Sequence, residues 1–120
     1  MIEKVNLEQK LDLFSEQWSP KIVGELNGQY IKLVKAQGEF AWHHHDNEDE
    51  LFLVIKGALT IKLKERDILL NEGEFVIIPR GVEHKPVAEE EVHILLMEPA
   101  STLNTGNVEN ELTAKDLDRI

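Results

Sequence analysis

The chain has 120 residues, 42% hydrophobic and 30% charged, the balance of a soluble globular domain able to bury about two-thirds of its unfolded surface. A formal net charge of −10, from 13 Lys and Arg against 23 Asp and Glu, excludes the basic footprint of a nucleic-acid binder and docking on anionic membranes. With no cysteine, a disulfide framework, a zinc finger and a thiol nucleophile are excluded too, which suits a reducing cytosol.

The opening residues Met1-Ile2-Glu3-Lys4-Val5-Asn6 lack the apolar core of a signal peptide, and runs such as Leu51–Ile55 are too short to cross a bilayer. The expectation is a soluble, cytoplasmic protein. Leu7, Leu11 and Phe14 recur at helical spacing with Asn6 as a candidate N-cap. Asn6–Phe14 is therefore predicted as a short amphipathic helix, ended before Ser19-Pro20 and covering a sheet edge.

From Ile22 the period becomes that of strands. Ile22–Leu26 and Gln29–Lys35 flank Asn27-Gly28, a strong hairpin signal, and Gly38 interrupts before Glu39–His45. Leu51–Ile55 and Ala58–Lys64 follow around Lys56-Gly57. In Ala58–Lys64, Leu59, Ile61 and Leu63 alternate with Thr60, Lys62 and Lys64, the pattern of a half-buried strand. Asp67–Leu70 and Phe75–Ile78 flank Asn71-Glu72-Gly73. Val82–Val87, broken at Pro86, and Val92–Met97 close the series, with Glu89-Glu90-Glu91 between them as a solvated loop. This cadence predicts an all-β jelly-roll barrel with a short N-terminal helix. The divisions are 1–20 for the helical extension, 21–98 for the barrel and 99–120 for a polar tail with one helical turn near Lys115–Arg119.

Phe40–Glu50 carries the chemistry: three consecutive histidines followed by carboxylates, beside an apolar run. In an extended backbone His43 and His45 point one way and His44 the other, and their Cα atoms lie roughly 6–7 Å apart, within reach of one ion. His84 follows the Pro79-Arg80-Gly81 turn, and an antiparallel sandwich can set its strand beside theirs. His43, His45, Glu50 and His84 would then offer three nitrogens and one anionic oxygen to a divalent ion, leaving positions open for water or substrate. Taken without His84 and the glycines around it, the same stretch is equally well a solvated loop. Asp46, Glu48 and Asp49 are expected in a solvated turn, and His44 at the surface or an interface, with Trp42 sharing its face. Phe52 and Val54 share the face of Glu50 and are expected to line a pocket. His93 is expected to be a hydrogen-bonded core or interface residue, with a pocket role as the alternative. Arg80 and Lys85 are surface residues or, alternatively, anion-binding ones.

Two spaced motifs resemble those of the cupin superfamily. Gly38, His43, His45, Glu50 and Gly57 look like the first, and Gly73, Pro79, Gly81 and His84 like the second. Gly38 stands one residue closer to the first histidine than is commonest, and Ala88 replaces the Asn that usually ends the second motif. The likeness covers Gly38–Ala88 and, with the strand cadence, Ile22–Met97. It implies a double-stranded β-helix of the compact bacterial type, one divalent transition metal (Mn, Fe, Ni, Zn or Cu), a small-molecule ligand and a homodimer. Relatives of this kind include isomerases of the mannose-6-phosphate isomerase type, sugar epimerases, dioxygenases and decarboxylases. Two functions are therefore expected: an enzyme using one metal as Lewis acid or oxygen activator on a small polar substrate, or a non-catalytic sensor of a small ligand.

Overall fold

Asn27 and Gly28 both take positive φ, 50° and 78°, so the two-residue turn twists in the same sense as the strands it joins. They close a hairpin between β1 (Lys21–Leu26) and β2 (Gln29–Glu39) in a computed structural model that describes residues 2–120. Before it, α1 (Leu7–Leu11) is capped by Asn6, whose side-chain oxygen accepts the Gln9 N–H at 2.9 Å. The helix stops short of the predicted Phe14, and it does not cover a strand edge. Leu11 and Phe14 pack on Leu33 with Val23, Ile55 and Leu95, on the outer face of the sheet.

The β1 edge is protected by the tail instead. Ile22 donates its N–H to Asp118 O at 2.8 Å, and Ile120 donates to Ile22 O at 3.0 Å. Lys115–Arg119 is thus extended rather than helical, because its backbone groups find partners on an exposed strand.

β3 (Glu50–Lys56), β4 (Leu59–Lys62), β5 (Asp67–Leu70), β6 (Phe75–Ile78) and β7 (Lys85–Pro99) complete an antiparallel jelly roll. The sheet order is β1-β2-β7-β3-β6, while β4 pairs with both β5 and β7. β7 is the spine, and it replaces the two strands predicted at Val82–Val87 and Val92–Met97. Its first part pairs with β4, Pro86 lying opposite Ile61, and its second part pairs with β3. Between Ala36↔Val92 and Gly38↔Ala88, β7 advances four residues while β2 advances two. Glu89-Glu90-Glu91 sits in that irregularity, so its side chains are solvated as expected while its backbone stays extended.

The predicted strand Glu39–His45 is also corrected. β2 ends at Glu39, Phe40 donates its N–H to Pro86 O, and the chain then makes only an isolated pairing of His43 with His84. Between the layers, Val34, Phe52, Val54, Leu59, Ile61, Ile78, Val92, Ile94 and Leu96 form a continuous apolar core. At about 1.5–3 kcal/mol for each buried aliphatic or aromatic side chain, this core is the main force holding the pocket walls in place.

Candidate metal centre

The His43–His84 pairing holds the two halves of the site in register. Each residue donates its backbone N–H to the other's carbonyl, at 3.0 and 2.9 Å. His45, two residues on from His43, turns to the same side, and Glu50, the first residue of β3, closes the group. One donor atom from each of these four side chains lies within 4.8 Å of every other. His43, His45, Glu50 and His84 are 1%, 4%, 3% and 0% exposed, so none relies on water. The four residues expected from sequence are thus brought together, and His44 faces away.

Ring orientation is set from behind. Nδ1 of His43 lies 2.8 Å from Ala41 O, and Nδ1 of His84 lies 2.9 Å from Val82 O. With the proton on Nδ1, Nε2 is left as the free lone pair, the usual arrangement behind a metal-bound imidazole. Nε2 of His84 and of His45 lie 3.2 and 3.4 Å from Glu50 Oε1. Neither ring nitrogen of His45 has a hydrogen-bond partner among the described residues. Buried polar atoms are rarely left so, and a divalent transition ion would satisfy them. Three imidazoles and a carboxylate suit such an ion, so the residues present fit one.

Electrostatics separate the adjacent histidines. Burial, reinforced by the neighbouring His84, pushes His43 down to about 4. The Glu83 carboxylate, 2.6 Å from Nδ1, raises His44, and Asp46 at 2.9 Å from Nε2 adds to it. An unfolded imidazole near 6.5 takes a proton before folded His43 does, so the stability contributed by this group is lost as pH falls from about 6.5 to about 4. In the metal-free protein, NMR titration should find His44 protonating above pH 6.5 and His43 still neutral at pH 5. A His43 ring that titrates at or above 6.5 would contradict this environment.

Two residues that sequence reasoning missed complete the site. Lys32 on β2 and Glu98 on β7 are each 1% exposed and joined Nζ to Oε1 at 2.8 Å. Glu98 stands one residue beyond the Leu51↔Met97 pair, directly across from Glu50, so a charged ladder crosses β2, β7 and β3 and ends at the histidines. Burial would raise Glu50, but the Glu98, His45 and His84 side chains beside it hold it well below the usual carboxylate range. Burial and the Glu50 charge hold Glu98 well above that range, against Lys32.

A cavity of about 40 Å³ opens beside His43, Glu50 and Glu98, walled by Trp18, Phe40, Phe52 and Leu96. By the yardstick of one water per 10–15 Å³ it admits roughly three waters. Phe52 lines it as expected, whereas Val54 is packed away in the core. Asp49 is taken up by Arg80, whose Nε lies 3.3 Å from Oδ1, and Glu48 accepts from Ser101 at 2.9 Å. Lys85 pairs with Glu39. His93 sits 3.1 Å from Glu91 on the outer side of β7, away from the pocket, and Trp42 lies under Lys64. The tail braces the histidine loop: Asn107 Oδ1 accepts the His44 N–H at 2.9 Å, and Asn107 donates its own N–H to His44 O. At Gly106, φ +58°, a Cβ would stand 2.2 Å from His44 O, so only glycine allows this close approach.

A jelly roll that gathers three buried histidines and a glutamate is a small β-barrel with a donor set that could hold a metal ion. The Cupin_2 family of cupin domains matches residues 30–98, and the chain belongs to that family. Among solved structures it is similar to a cupin-2 domain containing protein from Shewanella frigidimarina NCIMB 400, at 46% identity and TM-score 0.78, over 79% of this chain and 93% of that one. It is 36% identical over 64 residues to the uncharacterized protein YdbB of Bacillus subtilis strain 168, which covers 52% of this chain and 57% of YdbB. It is 28% identical over 94 residues to a 3-hydroxyanthranilate 3,4-dioxygenase of Meyerozyma guilliermondii, over 72% of this chain and 56% of that enzyme. The chain thus spans little more than half the length of these two relatives.

Among the described residues, no helix is long and apolar enough to cross a membrane.

Proposed function

We propose that this protein is a metal-dependent enzyme acting on a small molecule, with His43, His45, Glu50 and His84 as the ligands of one divalent ion. The observation that carries this reading is His45, buried with both ring nitrogens unpartnered inside a group of four converging donors. When bound, such an ion supplies Lewis-acid polarisation of a carbonyl or hydroxyl oxygen, or activation of dioxygen. The chain does the remaining work. Ala41 O and Val82 O hold two imidazoles in their tautomers, and Phe40, Phe52 and Leu96 keep bulk water from the reacting side. The donor set is compatible with Mn, Fe, Ni, Zn and Cu, between which geometry and availability decide. The likeness to a dioxygenase favours oxygen-dependent chemistry over sugar isomerisation.

A non-catalytic role, in which the four protein donors leave the ion no exchangeable position, is the second reading, favoured by how little room the cavity leaves beside them. Water-proton relaxation of the Mn(II)-loaded protein separates the two. An exchangeable water that is displaced by a small chelator supports an enzyme; a saturated ion with no exchangeable water would leave only the non-catalytic role.

The same reading includes a homodimer in the cytoplasm. Phe75 and Ile77, 60% and 53% exposed, pair across with Leu51 and Leu53 on the outer face of the β6 edge, an apolar strip that a second copy would cover. The cysteine-free composition suits a reducing compartment.

A further inference from the structure

The four donors are buried, and the cavity beside them has room for roughly three waters, so a hydrated ion or a ligand reaches them only where part of the wall moves. Most of that wall is sheet. His43 and His84 are locked together by two backbone hydrogen bonds, Glu50 opens β3, and Phe52, Ile94 and Leu96 belong to the continuous core. The tail is the exception. Asn104 stands in the wall of the cavity beside His43 and Glu50. Ser101, Leu103, Gly106 and Asn107 line a second hollow, of about 140 Å³, that His45 also lines. One segment thus borders two hollows, each of which touches the donor group.

The hold of this segment on the barrel is slight. Residues 101–117 run between two anchored ends: Ala100 donates its N–H to Gly28 O at 3.0 Å, and Asp118 and Ile120 are bonded to Ile22. Between those ends no apolar side chain is buried. Its hydrogen bonds to the histidine loop are the two that join Asn107 to His44 and the one Ser101 Oγ donates to Glu48. Elsewhere it bonds to itself. Asn104 Nδ2 donates to Leu112 O at 2.8 Å, Asn104 Oδ1 accepts the Ala114 N–H at 2.9 Å, and Thr105 Oγ1 donates to Val108 O at 2.7 Å. Thr102 Oγ1 is buried with no partner among the described residues, so the closed position leaves a hydroxyl unsatisfied. A loop that holds its own shape, with little burial and few bonds outside itself, opens as one unit at low free energy.

We propose that residues 101–117 are a lid, latched by Asn107, whose opening is the route by which a metal ion and small ligands reach the four donors. This inference rests on the metal reading above and gives its site an entrance. Asn107 bonds to His44 and to none of the four donors, so loosening it changes how often the lid opens and not the ligand set.

The test follows Zn(II) in wild type, Asn107→Ala and Gly106→Ala, the last of which sets a β-carbon 2.2 Å from His44 O in the closed position. Asn107→Ala strands the His44 N–H, so uptake of zinc and its release to excess chelator should both quicken about tenfold. Gly106→Ala should quicken both further. Affinity should stay as in wild type, because a gate changes the barrier and not the end states. Release that quickens alone, with weaker binding, would show that the tail shapes the ligand set; unchanged rates in both variants would place the entrance elsewhere. Either result would overturn the inference with the metal centre intact. Hydrogen exchange of the metal-free protein reads the lid without an ion. The His44 N–H should exchange together with that of Asn107, while the His43 N–H, held by His84 O, stays protected about tenfold longer or more. His44 protected as long as His43 would overturn the lid. A wild-type chain that holds no zinc would overturn the metal reading and this entry route together.

Discussion

His84→Ala protein is expected to keep its β fold and lose stoichiometric metal binding. His84 contributes Nε2 to the four-donor group, and its Nδ1 is already committed to Val82 O. Residues standing behind metal ligands typically cost 10–100-fold in affinity when removed, so loss of a ligand should exceed about 100-fold. The fold should survive because the His43–His84 pairing is made by backbone groups that alanine retains. The cavity left by the ring costs stability of a few kcal/mol at most. Circular dichroism and metal analysis of the same preparation check both halves. A variant that retains one ion per chain would remove His84 from the ligand set.

Lys32→Met is expected to destabilise the protein by about 3–5 kcal/mol, the usual result of stranding one member of a buried ion pair. Lys32 and Glu98 are both 1% exposed, and Glu50 stands across from Glu98, so the abandoned carboxyl gains no solvent and faces another carboxyl. For a chain of this size that corresponds to a fall in melting temperature of roughly 10–20 °C. Adding Glu98→Leu should recover most of the loss, because apolar side chains of similar volume often replace a buried pair at little cost. Thermal unfolding of the two variants tests this; if the double variant is as unstable as the single one, the charge argument fails and packing alone explains the effect.

These two experiments touch residues of unequal visibility in the sequence. His43 and His45 were legible because alternation in an extended backbone puts them on one side whether or not a full strand forms. His84 was legible from the turn before it, and Asn27-Gly28 from its demand for positive φ. Lys32 was not legible. Between Ile31 and Leu33 it has the look of a polar, solvent-facing position, yet both faces of β2 are covered: Leu33 lies under α1, and Lys32 points into the barrel. Glu98 was hidden for the same reason, as a charged residue at the end of a strand, before Pro99. β7 was split in prediction by Pro86 and by Glu89–Glu91. A proline is tolerated where its carbonyl serves Phe40, and the three glutamates sit in a register irregularity that lets them reach solvent without a loop. The tail gave no periodic signal because its order comes from single backbone bonds to Ile22 and to the histidine loop.

The decisive measurement is metal content by mass spectrometry on untagged protein, as purified and after chelation and refilling. One tightly held ion per chain, lost in His84→Ala, is the predicted result; iron would direct the search to oxygen-dependent reactions, and manganese or zinc to isomerisation or epimerisation. A chain that holds no ion even after refilling would leave the jelly roll standing and contradict the metal centre on which the proposed function rests.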